Sequence, residues 1–445
     1  MPQAPNVAAP LGAEARTAGF YGWKLLAVLW VAMAINMSLP MYGLSILNVH
    51  MGDQFGLSRA ALGSTYSAYM LMTGLPGPLV ARMIHRYGIR STLIFGNVML
   101  LAATAALATV VDSAWSLLAI GGLLLGTSNA FAGPITIQAS VTRWFVRRRA
   151  LAMGLVMTGG SLVGSVFAPM LETVTRISGS WRYGWWAITG ATALVVLACA
   201  IFIRENPHDL GQYADGRAPD PAEEGEMAVT PMTASMRMRF WSVHRTPHDW
   251  SPRDVLRSTA FWLLLVCSAG VSAVFTIFLA QAVLQMRDLG YSTGTAAWML
   301  SFSVGVGFVA HMVVSFIADR IDPRLLWALG VLFYGLGIIL FAQAYEPWEL
   351  YAAVLLLGIG GSVSLMCIVM VFSNWFGAKA SPFVFGYGSA VAAACGALGP
   401  IASGYCYDRI GSFAPVYYVV GAMCIASAIL LIAMRPPVPS WARQT

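Results

Sequence analysis

Twelve apolar runs, each long enough to cross a bilayer as a helix, dominate this 445-residue chain. A spanning helix needs about 20 mostly apolar residues. Such runs occupy 21–49, 58–81, 91–111, 114–140, 149–171, 183–203, 258–285, 295–318, 324–344, 348–374, 381–405 and 412–434. Composition agrees: 58% of residues are hydrophobic and 10% charged, where soluble domains carry about 25% charged residues. Most of the 44 glycines lie within these runs, so neither a disordered nor a water-soluble chain fits. The sequence predicts an all-α, multi-pass membrane protein of twelve transmembrane helices in two pseudo-symmetric six-helix bundles.

The runs divide the chain into an N-terminal tail (1–20), a first bundle (21–203), a linker (204–257), a second bundle (258–434) and a C-terminal tail (435–445). The first run is too long for a signal-peptide core and reads as a retained span. Of the 26 basic residues, 21 fall on the side that holds both tails and the linker. By the positive-inside rule that side is cytoplasmic, so the expected location is the cell (plasma or inner) membrane with both termini inside. The net charge of +7 then reflects topology and implies no nucleic-acid partner. Six cysteines sit in or beside apolar runs with no CxxC spacing, which gives no sign of a disulfide framework, metal site or cofactor.

The halves echo one another. Arg86-Tyr87-Gly88-Ile89-Arg90 after the second run is matched by Arg320-Ile321-Asp322-Pro323-Arg324 after the eighth, and Trp144-Phe145 by Trp375-Phe376. Trp115 and Trp348 open the fourth and tenth runs. Parallel repeats of this kind build rocking carriers with a substrate site at mid-membrane between the halves. In the linker, Ser251-Pro252 reads as a helix start, and Met232–Trp241 as an interfacial segment or a plain tether.

Several stretches resemble the monocarboxylate-transporter and oxalate/formate-antiporter branch of the major facilitator superfamily. They are Tyr21-Gly22-Trp23, Pro40-Met41-Tyr42, Gly77-Pro78 ahead of Arg86–Arg90, Arg143-Trp144-Phe145 leading to Arg147–Gly154, Trp181-Arg182, and Ser251 to Trp262. The resemblance covers nearly the whole chain except the linker. It implies the major facilitator fold and a secondary transporter. It also places His311 where the family commonly has an arginine that meets the substrate carboxylate, and Gly307 where some members have an aspartate. Met41 stands near a family lysine, Ala392 at a basic position of the oxalate-type members, and Tyr42 matches a pocket tyrosine. His85 replaces the acid that precedes the family's Arg-x-Gly, which Asp319 supplies in the second half.

Ionisable residues deep in a span are costly and mark function. His311 is the one such residue within the runs above. Ser303, Gly307 and Ser315 recur beside it at four-residue steps, giving a small, polar helix face. Substrate-binding candidates are therefore His311, Tyr42, Asn36, Tyr66, Tyr69, Asn129, Gln281 and Tyr387, the last seven each being of a kind that more often bonds helix to helix than ligand. Arg86, Arg90, Asp319, Arg320, Arg324 and Arg143 are candidates for a cytoplasmic gate, or for topology signals alone.

The expected function is alternating-access transport of a small organic anion, a monocarboxylate, by a monomer in the lipid bilayer. His311 would couple proton symport, because a bound carboxylate and a proton on a neighbouring imidazole favour one another. A carrier of neutral or aromatic molecules, an anion exchanger, and a non-transporting sensor with the carrier fold are the alternatives. The sequence carries no HExxH, P-loop or nucleophile motif that would indicate an enzyme.

Overall fold

A computed structural model describes residues 20–145, 148–216, 246, 250–317 and 321–437, and the regular structure there is helical. In the first half, α1 is Gly22–Phe55, α2 is Arg59–Gly74 continued by residues 77–87, and α3 is residues 89–109. α4 is Ala114–Trp144, α5 Arg149–Ser178 and α6 Trp181–Phe202. A short helix, Pro252–Arg257, starts at Ser251, whose hydroxyl accepts from the Asp254 N–H. In the second half, α7 is Thr259–Asp288, α8 Thr293–Ile317 and α9 Pro323–Phe341. Residues 347–376 form α10, residues 378–410 α11 and Ala414–Ala433 α12.

Two reversals are made by single glycines. Gly88 (φ 86°, ψ 168°) turns α2 into α3, and Gly377 (φ 77°, ψ 168°) turns α10 into α11. A side chain is strained at such φ values. Elsewhere α1 and α5 run further than hydropathy predicts, to Phe55 instead of 49 and to Ser178 instead of 171. Polar residues end an apolar run without ending a helix. What stops α1 and α5 is left-handed backbone at Gly56 (φ 61°) and Gly179 (φ 70°).

These longer helices correct the reading of His311 as the one ionisable group inside a span. His50 of α1 and Glu172 of α5 meet at 2.9 Å, with Glu172 buried. The pair ties two helices of the first half together.

Packing repeats with the chain. α1 packs on α5 as α7 packs on α11, α3 on α6 as α9 on α12, and α2 on α4 as α8 on α10. The halves meet along α1–α7 and two seams, α2–α11 and α5–α8. The seams exchange under the same correspondence of first-half helix to second-half helix, so the duplication extends to the interface. Leu194, Val166, Val266 and Ile429 face outward, whereas Asn36, Asn97, Asn129 and Gln281 are buried. That apolar exterior suits lipid, where unpaired polar groups are costly.

One face of the molecule carries Phe20, the Gly88 and Gly377 turns, both ends of the linker and Met434. We call it the near face, and the opposite one the far face.

Candidate functional site

A cavity of about 210 Å³ lies between the halves midway along the helices. The first half contributes Met37, Ser38, Met41 and Tyr42 from α1 and Gly160 from α5. The second contributes Phe275, Phe278 and Leu279 from α7, Ser303, Val304 and His311 from α8, Tyr334 from α9, and Leu357, Gly358, Gly361, Ser362 and Leu365 from α10. Pockets for drug-sized ligands run about 300–1,000 Å³, so this one suits a smaller molecule. Among the described residues its wall holds no Lys, Arg, Asp or Glu.

His311 is half-buried on α8, with the Gly307 carbonyl one turn away as a hydrogen-bond partner of its ring. It stands eight residues, about 12 Å, toward the near face from Ser303. Gly307 packs against Gly358 and Ser362 of α10, so the small residues of α8 serve a close helix crossing. Tyr42 lies across Gly164 of α5, where an added Cβ would come within 2.6 Å of its ring. Ser38 donates to the Gly160 carbonyl at 2.6 Å. The glycines of α5 thus let α1 approach closely and aim its polar side chains inward.

The structure brings His311 and Tyr42 together at this wall. It places the other six substrate-binding candidates elsewhere. Asn36, Tyr69 and Asn129 form a buried network inside the first half. The Asn129 amide donates to the Tyr69 hydroxyl at 2.6 Å and to the Asn36 carbonyl at 3.2 Å, and Asn36 donates to the Ala132 carbonyl at 2.9 Å. That carbonyl adjoins the break in α4 at Gly133, which explains where its helical partner went. Tyr66 packs edge-on against Tyr69 at 5.9 Å and is fully buried. Gln281 donates to the Pro400 carbonyl at 3.3 Å, and Tyr387 is 45% exposed on α11. Ala392 faces a second, smaller cavity with Thr73 and Ser272.

Ser303 lies on the polar face of α8 that its spacing from His311 predicts, whereas Tyr334 and Ser362 are wall residues the sequence did not single out. Tyr334 has the same signal as the tyrosines it singled out, a hydroxyl inside an apolar run. Only the tertiary fold distinguishes a hydroxyl at a cavity from one inside a bundle.

The far-face side of the cavity is closed by bonds between halves. Ser45 donates to the Leu279 carbonyl at 2.5 Å. Asp408 accepts from the Arg59 and Ala60 N–H groups at 3.0 and 2.9 Å. Arg59 pairs with Asp288 at 2.9 Å, and Arg287 with Asp53 at 2.6 Å. Gly404 lets the Arg59 carbonyl approach. Among the described residues, every ion pair joining the halves lies at this end.

The near-face arginines bond within their own halves. Glu205, just beyond α6, accepts from the Ile89 and Arg90 N–H groups at 2.8 and 3.0 Å and pairs with Arg143. It supplies a negative charge to the Gly88 turn, where His85 offers none. Arg90 donates to the Ala200 carbonyl at 2.7 Å, and Arg324 likewise to Met434, so matched arginines clasp the ends of α6 and α12. Asp322 caps α9, accepting from the Arg324 N–H at 2.9 Å. Arg86 lies over the Tyr87 ring and is exposed. Asp319 and Arg320, and the segment Met232–Trp241, lie outside the described residues.

The family model "Major Facilitator Superfamily" matches residues 25–342 and 272–445. Monocarboxylate transporter 2 of Homo sapiens is 24% identical over 447 residues, covering 97% of this chain and 88% of that protein. Monocarboxylate transporter 13 of Bos taurus is 26% identical over 360 residues, covering 80% and 76%. Among solved structures, a peptide transporter superposes with a TM-score of 0.71 at 16% identity, over 92% of this chain and 94% of that one. A bacterial homolog of the human lysosomal transporter Spinster, in an inward-facing and unoccupied conformation, gives 0.67 at 15% identity, over 93% and 95%.

Proposed function

The chain belongs to the major facilitator superfamily of membrane transporters, and from that premise we propose that it moves a small monocarboxylate across the cell membrane by alternating access. The observation that carries this reading is the small mid-span cavity between the halves, with His311 in its wall. The relatives named as monocarboxylate transporters support the substrate class.

A carboxylate brought out of water costs several kcal/mol unless it is paired. With no Lys or Arg among the described wall residues, a protonated His311 is the cation that can pair with it. Anion and proton then bind as a linked pair, which makes the carrier a proton symporter. The near face, rich in basic residues, is the cytoplasmic one. The far-face bonds then close the outer side, so the described arrangement is inward-facing. Each chain has its own cavity and works as a monomer.

Uptake of radiolabelled lactate and benzoate into proteoliposomes tests this. An inward proton gradient should accelerate uptake, and excess unlabelled carboxylate should compete. Uptake that ignores the gradient but needs a counter-anion inside would make the protein an exchanger. The walls of Phe275, Phe278, Met37 and Met41 favour a second reading, a carrier of neutral aromatic molecules. Uptake of such a molecule without carboxylate competition would establish that reading instead.

A further inference from the structure

Most hydroxyls buried in this protein are used up by neighbours, yet those of Tyr42 and Tyr334 are not. Both residues are almost fully buried, at 4% and 3% exposure, and both line the cavity. Neither hydroxyl has a hydrogen-bond partner among the described residues. Unlike the hydroxyls of Tyr66 and Tyr417, which are sealed in protein without partners, theirs border open space. A buried hydroxyl left unpaired is costly unless a ligand or water completes it.

The two are also mounted alike. Tyr42 lies across Gly164 of α5, and Tyr334 crosses Gly361 of α10, where an added Cβ would come within 3.1 Å of its ring and 3.2 Å of its hydroxyl. Each half therefore uses a glycine on one helix to let a tyrosine from another reach the shared cavity. Tyr334 does so from α9, which packs behind α10.

We infer that Tyr334 is the second half's ligand-contact residue, donating with Tyr42 to the carboxylate of a small monocarboxylate that has an apolar or aromatic body. A carboxylate only accepts hydrogen bonds and has lone pairs for several donors. Ser362 borders the same space as a further donor, beside Gly307 and so one turn of α8 from His311, while Phe275 and Phe278 face the body of the ligand. A ligand held from both halves at once favours the arrangement in which the halves approach. This rests on the cavity being the transport site, and the test separates the two claims.

Benzoate is the probe, with the purified full chain assayed by thermal unfolding and by benzoate uptake into proteoliposomes. Tyr334→Phe keeps the ring and its packing. Its unliganded unfolding temperature should match wild type, its benzoate-induced stabilisation should vanish, and its KM should rise about tenfold with the maximal rate little changed. The Tyr42→Phe and Tyr334→Phe effects should be non-additive in the double variant, because both hydroxyls serve one group. Wild-type uptake of benzoate with an unaltered KM in Tyr334→Phe would overturn the assignment of Tyr334 and leave the transport reading intact. Wild-type protein that neither binds nor moves benzoate, lactate or pyruvate would overturn both.

Discussion

Asp408, in the last turn of α11, caps the first turn of α2 in the opposite half, accepting the Arg59 N–H at 3.0 Å and the Ala60 N–H at 2.9 Å. The bond joins halves that must part if the far face is to open. Exposed helix caps contribute about 1 kcal/mol, and a change of that size moves a two-state equilibrium about fivefold. Asp408→Ala, which removes both acceptors, should therefore populate the far-open form about fivefold more. Double electron–electron resonance between spin labels on the two halves at the far face would detect it, and an unchanged distance distribution would remove Asp408 from the gate.

Glu205 satisfies two backbone N–H groups at the Gly88 turn and pairs with Arg143. Charged hydrogen bonds contribute about 1.5–3 kcal/mol each when partly buried. Glu205→Gln should lower the thermal midpoint by several degrees and leave ligand-induced stabilisation intact, as read by differential scanning fluorimetry. Glu205→Ala should cost more than Glu205→Gln, since it removes the acceptor altogether.

Gly164 leaves no room for a side chain beneath Tyr42. Overpacking typically costs about 1–3 kcal/mol, and here the strain falls on a ring that borders the cavity. Gly164→Ala should weaken uptake about tenfold through KM. Gly154, which an added Cβ would leave without contacts, should tolerate the same change, and comparing the two variants separates local strain from loss of helix flexibility.

Among the described wall residues, His311 is the one that can become a cation near neutral pH. His311→Gln should abolish substrate-induced proton uptake in proteoliposomes. Unchanged proton stoichiometry in that variant would exclude the imidazole from coupling.

On the far face, Tyr291 donates to the Tyr345 carbonyl at 2.9 Å. Burial, and then the neighbouring Glu346 and Glu349 carboxylates, push its pKa above the ordinary tyrosine value. The folded state then holds this proton more tightly than the unfolded state. Its contribution is complete below about pH 10, the unfolded value, and is lost as pH rises through the folded value. Thermal stability should fall more steeply above about pH 10 in wild type than in Tyr291→Phe, which cannot titrate.

The span order, the repeat and the position of His311 could be read from the chain because hydropathy and spacing are local properties. The Arg90 and Arg324 match did more than mark a repeat, since both arginines clasp the end of the last helix of their half. The role of Asn36 and Asn129 could not be read this way. Both are polar groups in apolar helices, and only the carbonyls left without helical partners, Ala132 beside the break at Gly133 and Asn36 four residues before Pro40, show why they are needed inside a bundle. Glu205 escaped because it follows the apolar run, in a stretch whose charges resemble those of any solvated linker. Asp408, Arg59 and Asp288 escaped for a related reason: each is an ordinary residue at a helix end, and their pairing exists only across the interface.

The turn at Gly377 has a mechanical corollary. One left-handed residue is the whole connection between α10 and α11, so the two helix ends cannot slide apart and the pair forms a fork joined at that glycine. One tine forms the seam with α2, and the other carries Leu357, Gly358, Gly361 and Ser362 into the cavity wall. Slippage along that seam must therefore reshape the ligand chamber in the same stroke, without any flexible loop to absorb it.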